Sequence, residues 1–189
     1  SDELINYELG MKGRWLDGRL AANLALYYID WNDIQVQANR VSDQVQFATN
    51  IGGAYSRGVE FGFMAMPALG WTFMLNAALN RARVDTLTPG EAAISGAVSG
   101  ARLAGPDFSG SMTVKYDFDW IRDSVASASL AVAYVGSFPG SFPNVPGQPG
   151  VVSPTFDYTD SYTVVNGSLA AAFEHYTFGL YVENLFDDR

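Results

Sequence analysis

From Ile5 to Trp15 the chain alternates. Ile5, Tyr7, Leu9, Met11 and Trp15 take the odd positions, and Asn6, Glu8, Lys12 and Arg14 the even ones. A period of two sends successive side chains to opposite faces of an extended strand, whereas a helix would scatter the same charges around its surface. After the turn signal Asp17-Gly18, Leu20, Leu24, Leu26 and Tyr28 continue the pattern against Arg19, Asn23 and Tyr27. It recurs in Val59-Phe61-Phe63, Trp71-Phe73-Leu75-Leu79, Met112-Val114-Tyr116-Phe118, Leu130-Val132-Tyr134, Val165-Leu169-Phe173 and Tyr176-Phe178-Leu180-Val182, each taken at alternate positions. The alternation predicts eight strands near residues 4–16, 19–36, 45–66, 70–84, 107–118, 124–138, 160–173 and 176–186. No helical period separates them, which argues against parallel βαβ units and for an all-β, antiparallel, up-and-down meander.

The connections alternate in length. Short ones fall at Asp17-Gly18, 67–70, 119–123 and Glu174-His175, and long ones at 32–49, 84–106 and 138–160. Short turns on one side and long loops on the other are the habit of outer-membrane barrels. The strands also reach the roughly 9–11 tilted residues that cross a bilayer's hydrocarbon.

The charges decide which face meets which solvent. Glu8, Lys12, Arg14, Glu60, Lys115 and Glu183 fall on the same face as Asn76 and other small polar residues; Leu9, Leu24, Phe61, Leu75, Leu130 and Leu180 fall on the other. A charge turned to lipid at mid-bilayer costs about 2–4 kcal/mol, so a barrel sends these charges into its lumen. Rings gather at the strand ends. Trp15, Trp71, Tyr116, Phe118, Trp120, Phe173 and Tyr176 lie by the short turns, and Tyr28, Trp31, Phe47 and Tyr134 toward the long loops. Two such bands are what the bilayer's interfaces select.

Composition narrows the remaining classes. Of 189 residues 48% are hydrophobic and 16% charged, too apolar for a chain that stays disordered. There is no Cys, hence no disulfide framework, thiolate zinc site or Cys nucleophile. A net charge of −9 argues against nucleic acid as a partner. No run of 18 apolar residues exists to make a transmembrane helix, and Ser1 leads into Asp-Glu-Leu-Ile without the basic and apolar regions of a signal peptide.

Three stretches resemble the downstream barrel region of TonB-dependent outer-membrane receptors: Asn6 to Leu20, Tyr28 to Val36, and Asn50 to Glu60 with its Arg57-Gly58-Val59-Glu60. The segment Tyr181-Val182-Glu183-Asn184-Leu185-Phe186-Asp187 is similar to the motif preceding that family's last strand. These matches run through the chain in the family's order. The resemblance implies a barrel of about 22 strands with a plugged lumen, of which residues 1–189 would supply about eight consecutive strands as a partial β-barrel domain. It implies that the plug, the segment that engages TonB and the closing strand are not in this sequence. It also implies a Gram-negative outer-membrane location, contact with outer-membrane lipid, TonB as a partner through the plug, and active uptake of a scarce solute such as a ferric siderophore. The alternative is a small eight-stranded outer-membrane barrel, or a soluble β-barrel with a structural, adhesive or ligand-binding role.

No constellation nominates an enzyme, a cofactor site or a metal site. His175, the one histidine, sits in a short turn beside Glu174. Asp187-Asp188 lacks the alternating acidic ligands and central Gly of a calcium loop. Gly52-Gly53 through Gly58 has neither the spacing nor the following helix of a nucleotide site. Glu60 reads either as a lumen charge bracing wall or plug, or as a substrate contact. Recognition belongs on the loops, where binding residues concentrate. Loop 138–160 holds five prolines with Phe138, Phe142, Phe156 and Tyr158, and reads either as an aromatic display for substrate or as a polyproline-like cap. With Arg83 and Arg102 these rings are the candidate substrate contacts. Loop 84–106, rich in Gly and small residues, reads as a mobile segment able to fold over a ligand.

Overall fold

The computed structural model describes residues 1–121 and 124–187. It is one eight-stranded antiparallel sheet in strictly sequential order. Its strands are β1 (Glu3–Trp15), β2 (Leu20–Asn39), β3 (Gln46–Ala65), β4 (Trp71–Val84), β5 (Phe108–Asp119), β6 (Val125–Val135), β7 (Tyr162–Ala172) and β8 (Thr177–Val182). A seven-residue helix, α1 (Pro89–Ser95), lies between β4 and β5. Among the described residues β1 and β8 do not pair. The sheet is open, and its two edge strands are exposed at nearly every position on both faces.

Register carries the two faces across the sheet. Residues directly opposite in an antiparallel ladder share a face. One row runs Lys12, Asn23, Gly62, Asn76, Ser111, Ala133 and Val164. Glu8, Arg14, Glu60 and Lys115 belong to the same face by parity, and Glu183 follows β8 directly with that parity. Leu9, Leu24, Phe61, Leu75, Leu130 and Leu180 share the opposite face. There Leu9 is 72% exposed, Leu130 48% and Leu75 39%. No interior core receives them. An uncovered apolar face of this extent is untenable in water and at home in lipid.

The buried core is small and sits at the loop end. Ile34, Ile51, Ala54 and Ala97 form it, with Trp31, Val36, Leu87, Leu103 and Phe142 packed around. Trp31 pairs with Ala54, and Ile34 with Ile51. Ile34 comes three positions after Trp31, so unbroken alternation would put them on opposite faces. The alternation therefore slips between them, at Asp33, whose φ of 54° is left-handed and which the ladder skips between the Asn32–Gly53 and Ile34–Ile51 pairs.

Several boundaries differ from the sequence reading. β2 runs on to Asn39, because beyond the slip it packs the loop core, while β3 starts at Gln46, one residue later than read. β6 ends at Val135 and β7 starts at Tyr162, the intervening chain folding as loop. β8 ends at Val182 instead of continuing to 186, since Asn184 turns the chain with φ 47° and donates its N–H to Asn166 Oδ1. Asp123 and Asp188 lie outside the described residues.

Candidate functional site at the loop end

Loop 84–106 is folded, and its order comes from a cap that its Gly content conceals. Thr88 is the N-cap of α1, with Pro89 in the first turn and Glu91 closing a capping box. Glu91 accepts from the Thr88 N–H (2.8 Å) and the Thr88 hydroxyl (2.7 Å), and also from the N–H of Gly52 on β3 (3.0 Å). Those bonds, the Thr88 hydroxyl's foremost, hold the Glu91 carboxyl below the usual carboxylate range. Asp85 and Thr86 dock on the same strand, with Gly53 N–H to Thr86 O at 2.9 Å and Asp85 N–H to Gly53 O at 2.8 Å. A Cβ on Gly52 would fall 1.7 Å from Thr86 O, so the approach requires glycine.

The proline loop folds on this platform. Its two arms pair with each other, through Pro139 with Tyr158 and Asn144 with Val152. Asn144 N–H donates to Gly96 O (3.1 Å) and Gly147 N–H to Ala93 O (2.9 Å), tying the loop to α1 and its cap. Gln44, in the β2–β3 turn, reaches Gly147 O at 2.9 Å. Loops 84–106 and 138–160 and the β2–β3 turn thus interlock into one roof; the long connection expected at 32–49 is mostly strand, with only 40–45 between β2 and β3.

Five of the six sequence-nominated contacts come near one another, and one does not. Arg83 and Arg102 form a bridge and share a single carboxylate, Asp107, at 3.4 and 3.2 Å. The Arg102 guanidinium stands 5.3 Å over the Tyr158 ring and donates to Ser137 O. Phe156 meets Tyr158 edge-on at 5.8 Å. Phe138 adjoins through its backbone, exchanging bonds with Thr159. Phe142 instead packs against the Ile34–Ile51 core and serves the roof. Asp107 carries no sequence pattern that would nominate it, lying one residue before β5.

The arrangement is one of charge and ring contacts. Two guanidiniums against one carboxylate leave a positive surplus beside two rings, and the side chains of both arginines are largely buried. Desolvated guanidiniums with a ring beneath favour planar, anionic ligands. His175 is exposed in its turn, 4.0 Å from Glu174.

On the polar face the small side chains leave a broad trough. Tyr27 lies across Gly58 and Asn23 across Gly62, while Ser56 donates to Asn80 and Lys115 pairs with Asp117 at 2.8 Å. Glu60 is exposed on this surface and takes part in no ion pair among the described residues.

A family model described as TonB dependent receptor-like, beta-barrel, matches residues 3–185. The ferric-pyoverdine 358 receptor of Pseudomonas putida is 36% identical over 69 residues, which is 35% of this chain and 8% of that receptor. The ferric yersiniabactin uptake receptor of Yersinia pestis superposes with a TM-score of 0.71 at 24% identity, over 98% of this chain and 25% of its own. The FrpB iron transporter of Neisseria meningitidis gives 0.71 at 18%, over 98% and 27%. The pyoverdine outer membrane receptor of Pseudomonas aeruginosa, bound to pyoverdine, gives 0.69 at 20%, over 98% and 26%. The chain spans about a quarter of the length of these structures.

Proposed function

The chain belongs to the TonB-dependent receptor-like β-barrel family, and from that premise we propose that it forms part of the wall and external roof of a receptor for ferric siderophores. The family consists of transporters of the Gram-negative outer membrane, not enzymes, and the apolar face described above is the surface that meets lipid. The polar face lines the lumen. Its small side chains leave room for a plug, through which TonB would act from inside, and the unpaired edges of β1 and β8 take neighbouring strands of the same wall.

The observation that carries the ligand class is the loop-end cluster. Arg83, at the loop end of β4 on its outward face, and Arg102 share one carboxylate beside Tyr158 and Phe156, a rim cluster suited to an anionic metal chelate carrying aromatic or carbonyl groups. An oligosaccharide would call for rings stacked with acids and amides and makes no use of the surplus charge.

Iron uptake by cells expressing the full receptor tests the proposal, with a panel of ferric hydroxamate and catecholate siderophores. Arg102→Gln and Tyr158→Ala are each expected to cut uptake of the cognate chelate at least tenfold at unchanged barrel abundance. A receptor that binds none of the chelates, or whose binding both substitutions leave untouched, would overturn it.

A further inference from the structure

The lipid-facing side of the sheet changes character abruptly at one row. On β4 the outward positions run Trp71, Phe73, Leu75, Ala77 and Leu79, and the next is Arg81. On β3 they run Phe63, Phe61 and Val59, and the next is Arg57. Arg57 and Arg81 are direct partners in the β3–β4 ladder. Their Cβ atoms therefore leave the same face about 5 Å apart, an arrangement in which like charges repel. Both are exposed, and among the described residues neither joins an ion pair. The adjoining row holds Asp30, Tyr55 and Arg83, and Arg83 is already committed to Asp107. Among the described residues neither Asp30 nor Asp107, which lines one cavity with Arg57 and Arg81, forms an ion pair with either arginine.

The height of this row is set by strand geometry. Arg81 lies ten positions beyond Trp71, about 33 Å of strand, or about 25 Å across the bilayer at a tilt near 40°. That is the thickness of a barrel's apolar band. With the Trp71 ring in one interface, Arg81 and Arg57 stand at the headgroups of the other, on the side of the long loops. Interface rings accompany them: Tyr55 stacks on Tyr28 at 6.2 Å, and the Arg57 guanidinium lies 5.6 Å over Tyr55. At the short-turn end the corresponding outward positions hold Trp15, Trp71, Tyr116, Phe118 and Phe178, with no charge.

We propose that Arg57 and Arg81 clamp a phosphate on the headgroup of an anionic lipid in the outer leaflet. Two guanidinium forks from adjacent strands offer a phosphate more donors than one fork can, and an anion between them turns their repulsion into attraction. The orientation favours a lipid over a soluble partner, because the stems rise from hydrocarbon-facing positions and the rings beside them sit where acyl chains begin. The pair adjoins the Arg83–Asp107–Arg102 cluster, Arg81 lying two residues before Arg83 on β4, but neither Arg57 nor Arg81 is bonded to Asp107 among the described residues. The clamp rests on the family's membrane setting and not on which solute is carried.

Native mass spectrometry of the full receptor in mild detergent tests the clamp. Diphosphorylated lipid A is the probe, its dephosphorylated form and inorganic phosphate being the comparison arms. The wild type is expected to retain the phosphorylated lipid at least tenfold more strongly than the dephosphorylated one and to hold no free phosphate. Arg57→Gln/Arg81→Gln should lose that preference, Arg57→Lys/Arg81→Lys should keep part of it, and Arg40→Gln should keep it all. Heat-modifiable gel mobility reports folding; should the double variant not fold, each single Gln substitution is expected to weaken binding several-fold. Cognate chelate uptake should persist in the folded variants, which separates this site from the ligand site. Equal retention of the two lipids, equal binding by folded variants and wild type, or binding of free phosphate alone would each overturn the proposal.

Discussion

At the short-turn end, Trp71 stacks on Phe73 at 5.8 Å and meets Tyr116 at 4.6 Å, Tyr116 stacks on Phe118, and Trp120 and Phe178 both approach Phe173. These rings stay outward, and the alternation runs unbroken into tight turns. At the loop end the rings divide. Tyr28 and Tyr55 remain outward, but Trp31 and Phe142 turn into a core with Ile34, Ile51 and Ala97, and the alternation slips at Asp33 to allow it. Where hydrocarbon is the solvent, a strand needs only its ladder and an apolar face. Where water returns, that face must be covered, and the chain builds a second, conventional core from its loops.

Substitutions that exchange the two solvents should have the largest effect. Leu130→Arg places a cation on the lipid face at mid-strand and is expected to cost about 2–4 kcal/mol in denaturant unfolding of the bilayer-inserted receptor. Its neighbour Ala131 faces the lumen, and Ala131→Arg should cost less than about 1 kcal/mol. Equal costs would erase the distinction between the faces.

The roof should yield next, to crowding. In Gly52→Ala the new Cβ meets the backbone oxygen of Thr86, and the expected cost is about 1–3 kcal/mol, with loop 84–106 becoming open to protease. Gly62→Ala meets only the Asn23 side-chain amide, 2.2 Å away and free to swing, and should fall within about 0.5 kcal/mol. A protease-resistant Gly52→Ala loop would mean that the docking is not what orders it.

The Glu91 latch is smaller and depends on pH. Its carboxyl sits lower in the folded loop than in an unfolded one, so its contribution is complete above the ordinary carboxylate range and is lost as pH falls through the depressed value. Hydrogen exchange across 85–97 should therefore quicken on acidification while the strands stay protected. Glu91→Ala should loosen the same segment by about 1 kcal/mol and abolish the pH dependence. The smallest effect belongs to the other end. Arg19 donates to Met66 O and Pro67 O from an exposed turn, and Arg19→Ala should cost about 0.5 kcal/mol.

The same division explains what could be read from the chain. The sheet was legible because lipid imposes a strict two-residue period: all six leucine and phenylalanine markers and the charges Glu8, Lys12, Arg14, Glu60 and Lys115 fall on the faces their parity assigned, while Glu183 lies past the end of β8. The roof was legible only in part. Thr88-Pro89-Gly90-Glu91 is a capping box in plain view, but the glycines around it read as mobility. The slip at Asp33 left no trace in composition, since a left-handed residue inside a strand is specified by what packs beyond it. Arg83, Arg102 and Tyr158 could be nominated by type; that they converge on Asp107 depends on how loops 84–106 and 138–160 fold together.

Every strand here bonds only to the strands that precede and follow it in the chain. No residue of β2, for example, has a ladder partner beyond β3. A gene encoding such a sheet can gain or lose a pair of strands by duplication or deletion without disturbing the register of the others, because no distant pairing has to be re-matched. Circumference then becomes a heritable quantity that changes in steps of two, while the loops on one rim diverge independently.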